Sequence, residues 1–334
     1  MITTTKTAFD FFMKNIVNLD SSTVSNARKS RDNLLEKIQG FSGADDFFDL
    51  CSDFNVHFGS FARKTKCREL DDIDLMIGIS ANGATYNSFD NWDEVRINAN
   101  QKEQIQVDCM NDDGTLNSTK VINKFKEKLK SVNDYSRSEL HKNGEAVTLT
   151  LKSRVWNFDI VPCFYTVKEF NGRSYYLIPN GKGNWKKTDP TIDREYVKQA
   201  NKNSNGHILE LIRLCKKWNT VKNVKTMPSY LLETMIINFI ESHKPTDNDI
   251  KMLFKKTLDY IAAGIWSPVC DMKKIEGDIN TIKSNDRQNI CEKARTDFEK
   301  VKQAIIYDEI LNSQEDAIKI WGEIFGGDFP KYDQ

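Results

Sequence analysis

The feature that most constrains this chain is the run over residues 72–79, DIDLMIGI, in which two acids alternate with apolar residues at the head of an apolar segment. Side chains two apart on a strand leave from the same face, so Asp72 and Asp74 are expected side by side. Two carboxylates that close raise each other's pKa unless a cation sits between them. Hard divalent ions with oxygen ligands satisfy that arrangement, and Mg²⁺ is the usual one beside phosphates. Asp71 does not share a face with Asp74 and reads as a solvated residue ahead of the strand.

Upstream, a short apolar strand over 55–58 runs into Gly59-Ser60 and then a polar, helix-like stretch. A glycine lets the backbone approach a phosphate, and a following helix N-terminus presents unpaired amides to it. The Ser60 hydroxyl adds a further bond, with simple helix capping as the alternative. Of the basic run Arg63, Lys64, Lys66 and Arg68, some could contact phosphate, while a solvated face accounts for most. A third acid, Asp159, lies in WNFDIVP, an apolar strand end where an ionised group is costly without a counter-charge. Three carboxylates from two strands can hold two metal ions, one activating a hydroxyl and one neutralising a triphosphate.

The 334 residues suggest two domains at the ordinary size of roughly 100–200 residues each. Apolar spacing predicts a long helix over 7–41 and a helix over 120–132, with strands at 55–58, 72–79, 145–151, 154–161 and 174–178. Residues 80–115, rich in Asn, Asp and Gly, read as a loop with a short helix near 92–99. A Gly- and Asn-rich turn is expected at 180–184. From Asp193 the pattern becomes amphipathic helices, at about 193–219, 229–242, 247–264, 286–310 and 315–325. Strands first and helices afterwards imply an α+β chain. A mixed-sheet catalytic lobe over 1–190, including the N-terminal long helix, would precede a helical lobe over 191–334.

Composition narrows the function. Lys plus Arg and Asp plus Glu number 48 each, split 26 and 26 up to residue 190 and 22 and 22 beyond it. Neither part is a basic arm, so no long nucleic acid is the expected partner. The apolar runs are far shorter than the ~20 residues of a membrane span, and the start MITTTKTAFDFF lacks the pattern of a secretory signal. Seven scattered cysteines without CxxC spacing argue against a disulfide framework or zinc ribbon. The expected location is the cytoplasm. No GxxxxGK[ST] loop, GxSxG elbow or HExxH helix is present.

Gly59-Ser60, Asp72-x-Asp74 and Asp159 together resemble the active site of DNA polymerase beta-type nucleotidyltransferases. More narrowly, GSFARKTKCRELDDIDLMIGIS, FDIVPCF, LIRLCKKWN, PSYLLETMII and FGGDFP resemble bacterial CD-NTases, relatives of cyclic GMP-AMP synthase and oligoadenylate synthase. Those enzymes make cyclic oligonucleotide signals in the anti-phage defence called CBASS. The resemblance covers nearly the whole chain but is thin over 80–145. The zinc-ribbon Cys/His cluster of the animal synthase is missing, so activation by DNA does not carry over.

The resemblance implies that Asp72, Asp74 and Asp159 are catalytic and hold two Mg²⁺ ions, with Mn²⁺ as an alternative. It implies that Lys216 reaches the nucleotide triphosphate, Ser229 binds phosphate and Tyr230 stacks on the donor base. A helical wheel agrees about Lys216. With Ile208 at 0° and about 100° per residue, Leu211, Ile212, Leu214, Cys215 and Trp218 form an apolar arc that Leu209 extends on one side; Lys216 lands between Leu209 and Ile212, just inside the edge, and Lys217 points away. Tyr230 is equally readable as a core residue and Ser229 as a cap.

The expected function is synthesis of a cyclic di- or trinucleotide second messenger from NTPs: ATP and/or GTP, with pyrimidine NTPs as further candidates. A downstream effector would respond to the product, and CBASS accessory proteins are candidate partners. The alternatives are a linear or RNA-tailing polymerase, a transferase that nucleotidylates a protein or small molecule, and a catalytically silent scaffold. A tailing enzyme needs a basic track, which the charge balance does not favour.

Overall fold

A computed structural model of the chain describes residues 1–136, 138–221, 227–246 and 248–333. The elements run α1 (Thr5–Phe12), a π-helical turn (Met13–Val17), α2 (Ser21–Gln39), β1 (Val56–Phe58), α3 (Gly59–Ala62), β2 (Asp72–Gly78), β3 (Thr85–Tyr86) and β4 (Ile97–Asn98). They continue with α4 (Gln104–Asp108), α5 (Ser118–Lys130), β5 (Glu139–Asn143), β6 (Ala146–Thr150), β7 (Asn157–Tyr165), β8 (Tyr176–Pro179) and β9 (Trp185–Thr188). Helices follow: α6 (Pro190–Asn203), α7 (Ile208–Val221), α8 (Ser229–His243), α9 (Ile250–Gly264), α10 (Ser284–Ile305), a second π-helical turn (Ile306–Ile310) and α11 (Gln314–Phe325). Ser22–Arg63 and Leu70–Arg194 make one compact unit, and Met1–Ser21, Lys64–Glu69 and Glu195–Gln334 make another. The chain is α+β.

Among the described residues of the first unit, seven strands form a mixed sheet in the order β1-β2-β7-β6-β5, with β8 on β7 and β9 on β8. The β2–β7 pair is parallel and its neighbours β1 and β6 are antiparallel to them. Parallel strands need a long crossover, and the stretch containing α5 supplies it. Asn117 starts α5 by accepting hydrogen bonds from the amides of Thr119 and Lys120. Val121, Ile122, Phe125 and Leu129, spaced along one helical face, are wholly buried, and the Phe125 ring meets Phe47 at 4.9 Å. Along β2 and β7 the first and third residues are half-buried while the one between is buried, so polar side chains are tolerated at the heads of these strands.

The helical unit packs around Trp218, Phe254, Trp321 and Phe325, all at most 1% exposed. The Trp218 indole donates to the buried Asp297 carboxylate at 2.8 Å. On α1, Phe9 stands edge-on to Trp321 at 4.7 Å, and Phe12 lies 5.0 Å from both Phe325 and Phe329.

Several local expectations are revised. The long helix over 7–41 breaks where Asn18 turns extended, at φ −82° and ψ 144°, and its first part groups with the helical unit because Phe9 and Phe12 bury against α11 and its tail. The helix over 193–219 divides at Asn205 and Gly206, both in the left-handed region, where glycine is favoured. Within 80–115 the chain forms β3 and β4, and the helix lies at α4 instead of near 92–99. β7 continues past Pro162, which falls between the end of pairing with β6 at Ile160 and the start of pairing with β8 at Phe164. Asp247, the expected start of the 247–264 helix, lies outside the described residues. Asp249 is the N-cap of α9, its carboxylate accepting from the Lys251 amide. Among the described residues no helix is long and apolar enough to cross a membrane.

The aromatic packing of α1 predicts that Phe12→Ala lowers unfolding free energy in a denaturant titration by about 3–5 kcal/mol. The neighbouring Phe11→Ala, at a 45% exposed position, should stay within about 0.5 kcal/mol of the parent.

Candidate active site

The register of the central strands assembles the acids. Phe58 of β1 stands opposite Asp74, and across the parallel pair Asp74 stands opposite Asp159 while Asp72 faces Asn157. Asp72, Asp74 and Asp159 therefore share one face at the heads of their strands, each half-buried, and one oxygen from each lies within 4.8 Å of the others. Ile73 and Phe158, between them in sequence, are at most 1% exposed. At that separation each pair of ionised groups repels by about 1–3 kcal/mol between the bulk-water and near-surface limits. The donor set is oxygen alone, with no imidazole or thiolate, and its closeness suits a hard divalent cation.

Two neighbours hold this geometry. Gly59 has φ +70°, and a Cβ there would sit 1.7 Å from Asp74 Oδ2 and 2.5 Å from its Cγ. Both the conformation and the carboxylate demand glycine at this position. The Thr148 hydroxyl, opposite Asp159 on β6, donates to Asp159 Oδ1 at 2.5 Å and orients it. Ser60 follows Gly59, half-buried, in α3, which is a single turn. What this corner offers an anion is the backbone of a tight turn, not the dipole of a full helix.

The other expected residues belong to the helical unit. Lys216 turns inward on α7 as the wheel indicated, and its ammonium meets Glu233 Oε1 at 2.5 Å; the two side chains are 10% and 0% exposed. Thr65 also donates to Glu233, at 3.1 Å. Lys217 points elsewhere and pairs with Asp328 at 2.7 Å. Ser229 is exposed at the head of α8, directly after Pro228. Tyr230 is half-buried, and its hydroxyl donates to Asp271 Oδ1 at 2.6 Å, with the Lys273 ammonium 4.3 Å from its ring centre. Burial raises the Asp271 pKa, but the Tyr230 bond, the Lys273 charge and the amides of Glu276 and Ile275 outweigh it and hold the group below the usual carboxylate value. From the basic run, Arg68 is engaged with the Asn18 carbonyl at 3.0 Å.

Thr148, Glu233, Asp271 and Lys273 escaped the sequence reading. Glu233 carried a usable signal, an acid inside the apolar LLETMII, which demands a buried cation. Thr148 carried a fainter one, a hydroxyl in the buried strand AVTLT.

No family model matches the chain. It is similar to the probable cyclic nucleotide synthase of Bacillus cereus (strain VD146), at 39% identity over 335 residues that span the whole of both proteins. A second relative is the cyclic AMP-AMP-AMP synthase of Acinetobacter sp. (strain ATCC 27244 / 9458), 26% identical over 210 residues, or 60% of this chain and 58% of that one. Among solved structures, E. coli MS115-1 CdnC with ATP shares the fold, with a TM-score of 0.71 and 16% identity over 98% of this chain and 99% of that one.

If Gly59 exists to admit Asp74, Gly59→Ala should weaken Mn²⁺ binding, read by electron paramagnetic resonance on the nucleotide-free protein, by at least about tenfold. Gly43→Ala also places a side chain at positive φ, but nothing lies within 4 Å of its Cβ, and it should bind Mn²⁺ as the parent does. Thr148→Val, which keeps the shape and removes the donor, should weaken binding to an intermediate degree.

Proposed function

We propose, from the premise that this chain belongs to the CD-NTase family of cyclic nucleotide synthases within the polymerase beta-like nucleotidyltransferases, that its carboxylate face joins NTPs into a cyclic di- or trinucleotide. The observation that carries this reading is the meeting of Asp72, Asp74 and Asp159 on one face of the parallel β2–β7 pair. Asp72 and Asp74 would hold both Mg²⁺ ions, with Asp159 completing the set. When bound, the ions neutralise the triphosphate and the leaving pyrophosphate and make a ribose hydroxyl more acidic.

The chain's own residues do the rest. Asp159, oriented by Thr148, stands near the attacking ribose hydroxyl and helps to take its proton. That oxygen forms a bond to the α-phosphorus as the bond to pyrophosphate breaks. The turn at Gly59-Ser60 would present backbone to phosphate; in the helical unit, family membership gives Lys216 and Ser229 phosphate-binding roles and Tyr230 a base to stack on. Glu233 and Thr65 keep the Lys216 ammonium in one place. Repeating the attack within a held linear intermediate closes the ring, since holding both ends together favours closure over release. The product acts as a second messenger that an effector reads in anti-phage defence. Support for that role comes from family membership.

Incubation of the pure protein with labelled ATP, GTP, CTP and UTP and Mg²⁺ tests the reading. The expected product forms without any RNA primer and resists alkaline phosphatase, because a ring has no terminal phosphate. Asp72→Asn with Asp74→Asn should bring pyrophosphate release to background with the fold intact by circular dichroism. A ladder of phosphatase-sensitive oligomers, or a product that requires an RNA acceptor, would contradict cyclisation.

A further inference from the structure

Tyr230 is held by more than packing. Its hydroxyl donates to Asp271 Oδ1 at 2.6 Å, and the Lys273 ammonium touches the same hydroxyl at 3.2 Å while lying 4.3 Å from the ring centre. That ammonium also meets Asp271 Oδ1 at 3.2 Å and Glu276 Oε1 at 2.8 Å. Asp271 is fixed in turn by three backbone amides, those of Lys273, Ile275 and Glu276, each at 3.1 Å. Its side chain is 0% exposed and that of Lys273 only 6%.

Such a cluster is a poor way to gain stability. Removing two charges from water is costly, and apolar residues of similar volume often serve a core as well or better. What the arrangement supplies is direction. A tyrosine ring pinned at its hydroxyl and pressed on one face by a cation has its plane defined before any ligand arrives. Stacking on a base is a modest interaction, so ordering the ring at the moment of binding would consume much of it. A ring that only filled the core could dispense with the hydroxyl.

We infer that Asp271 and Lys273 are positioning residues for nucleotide binding, setting the plane of the Tyr230 ring on which the base stacks. The inference rests on the proposed stacking role of Tyr230 and names the residues that make that role effective. Neither residue touches the reacting atoms, so their loss should act on nucleotide affinity more than on turnover.

The test compares Tyr230→Ala, Tyr230→Phe, Asp271→Asn, Lys273→Met and the double variant Tyr230→Phe/Asp271→Asn. KM for each of the four NTPs, kcat and Tm are measured. Tyr230→Phe, Asp271→Asn and Lys273→Met should each raise KM for the stacking nucleotide roughly three- to tenfold, the span expected for one hydrogen bond, with kcat within about twofold of the parent. The double variant should fall short of the product of the two single effects, because both changes weaken the same contact and Asp271 otherwise acts on the ring only through Lys273. Should Asp271→Asn fail to fold, Tyr230→Phe and Lys273→Met still carry the test. Unchanged KM in both, with KM raised in Tyr230→Ala, overturns the clamp and leaves base stacking in place. Multiplicative KM effects in the double variant overturn it as well. Unchanged KM in Tyr230→Ala overturns the stacking role and the clamp together. A lower Tm with parental KM would mean that the cluster only supports the fold.

Discussion

The site depends on the in-register parallel pairing of β2 with β7. In that ladder Asp74 lies opposite Asp159, and the alternation of each strand places Asp72 on the same face. A shift by one residue would send Asp159 to the opposite side and bring Phe158 beside Asp74. The pairing is secured by what lies on the other side, where Ile73, Leu75, Phe158 and Ile160 are at most 1% exposed. Burial of those four residues therefore fixes the register, and the register fixes the separation of three like charges.

That separation suits the triad to a cation. The protein does not relieve the repulsion by moving the acids apart. Gly59 gives Asp74 the space a Cβ would take, and Thr148 orients Asp159. In the helical unit a comparable economy of placement operates with the signs mixed. Lys216 is anchored on Glu233, and Lys273 on Asp271 and Glu276, so each buried lysine has its position set by a carboxylate.

The acids were legible in the sequence because an ionisable residue inside an apolar run is anomalous on any fold. Asp72, Asp74 and Asp159 all stand out on that ground, and the inward turn of Lys216 followed from helical periodicity alone. Partners distant in sequence were not legible. Nothing in AVTLT announces that Thr148 will bond Asp159, and nothing near Asp271 announces Tyr230, because both contacts are made by tertiary pairing. Periodicity also showed that Phe9 and Phe12 lie on one helical face, but not which core would receive them. The strands β5 and β9 were missed because ELHKN and WKKT lack an apolar alternation and are placed by their neighbours. The function became readable where several local anomalies coincided with motifs of one family.

The central claim is that the face shared by Asp72, Asp74 and Asp159 is a divalent-ion site. Anomalous diffraction from crystals soaked with Mn²⁺ and a non-hydrolysable ATP analogue tests it most directly. The account predicts two anomalous peaks at this face, beside the carboxylates of Asp72, Asp74 and Asp159 that would hold the ions. Peaks at other carboxylates, with none at these three, would contradict it.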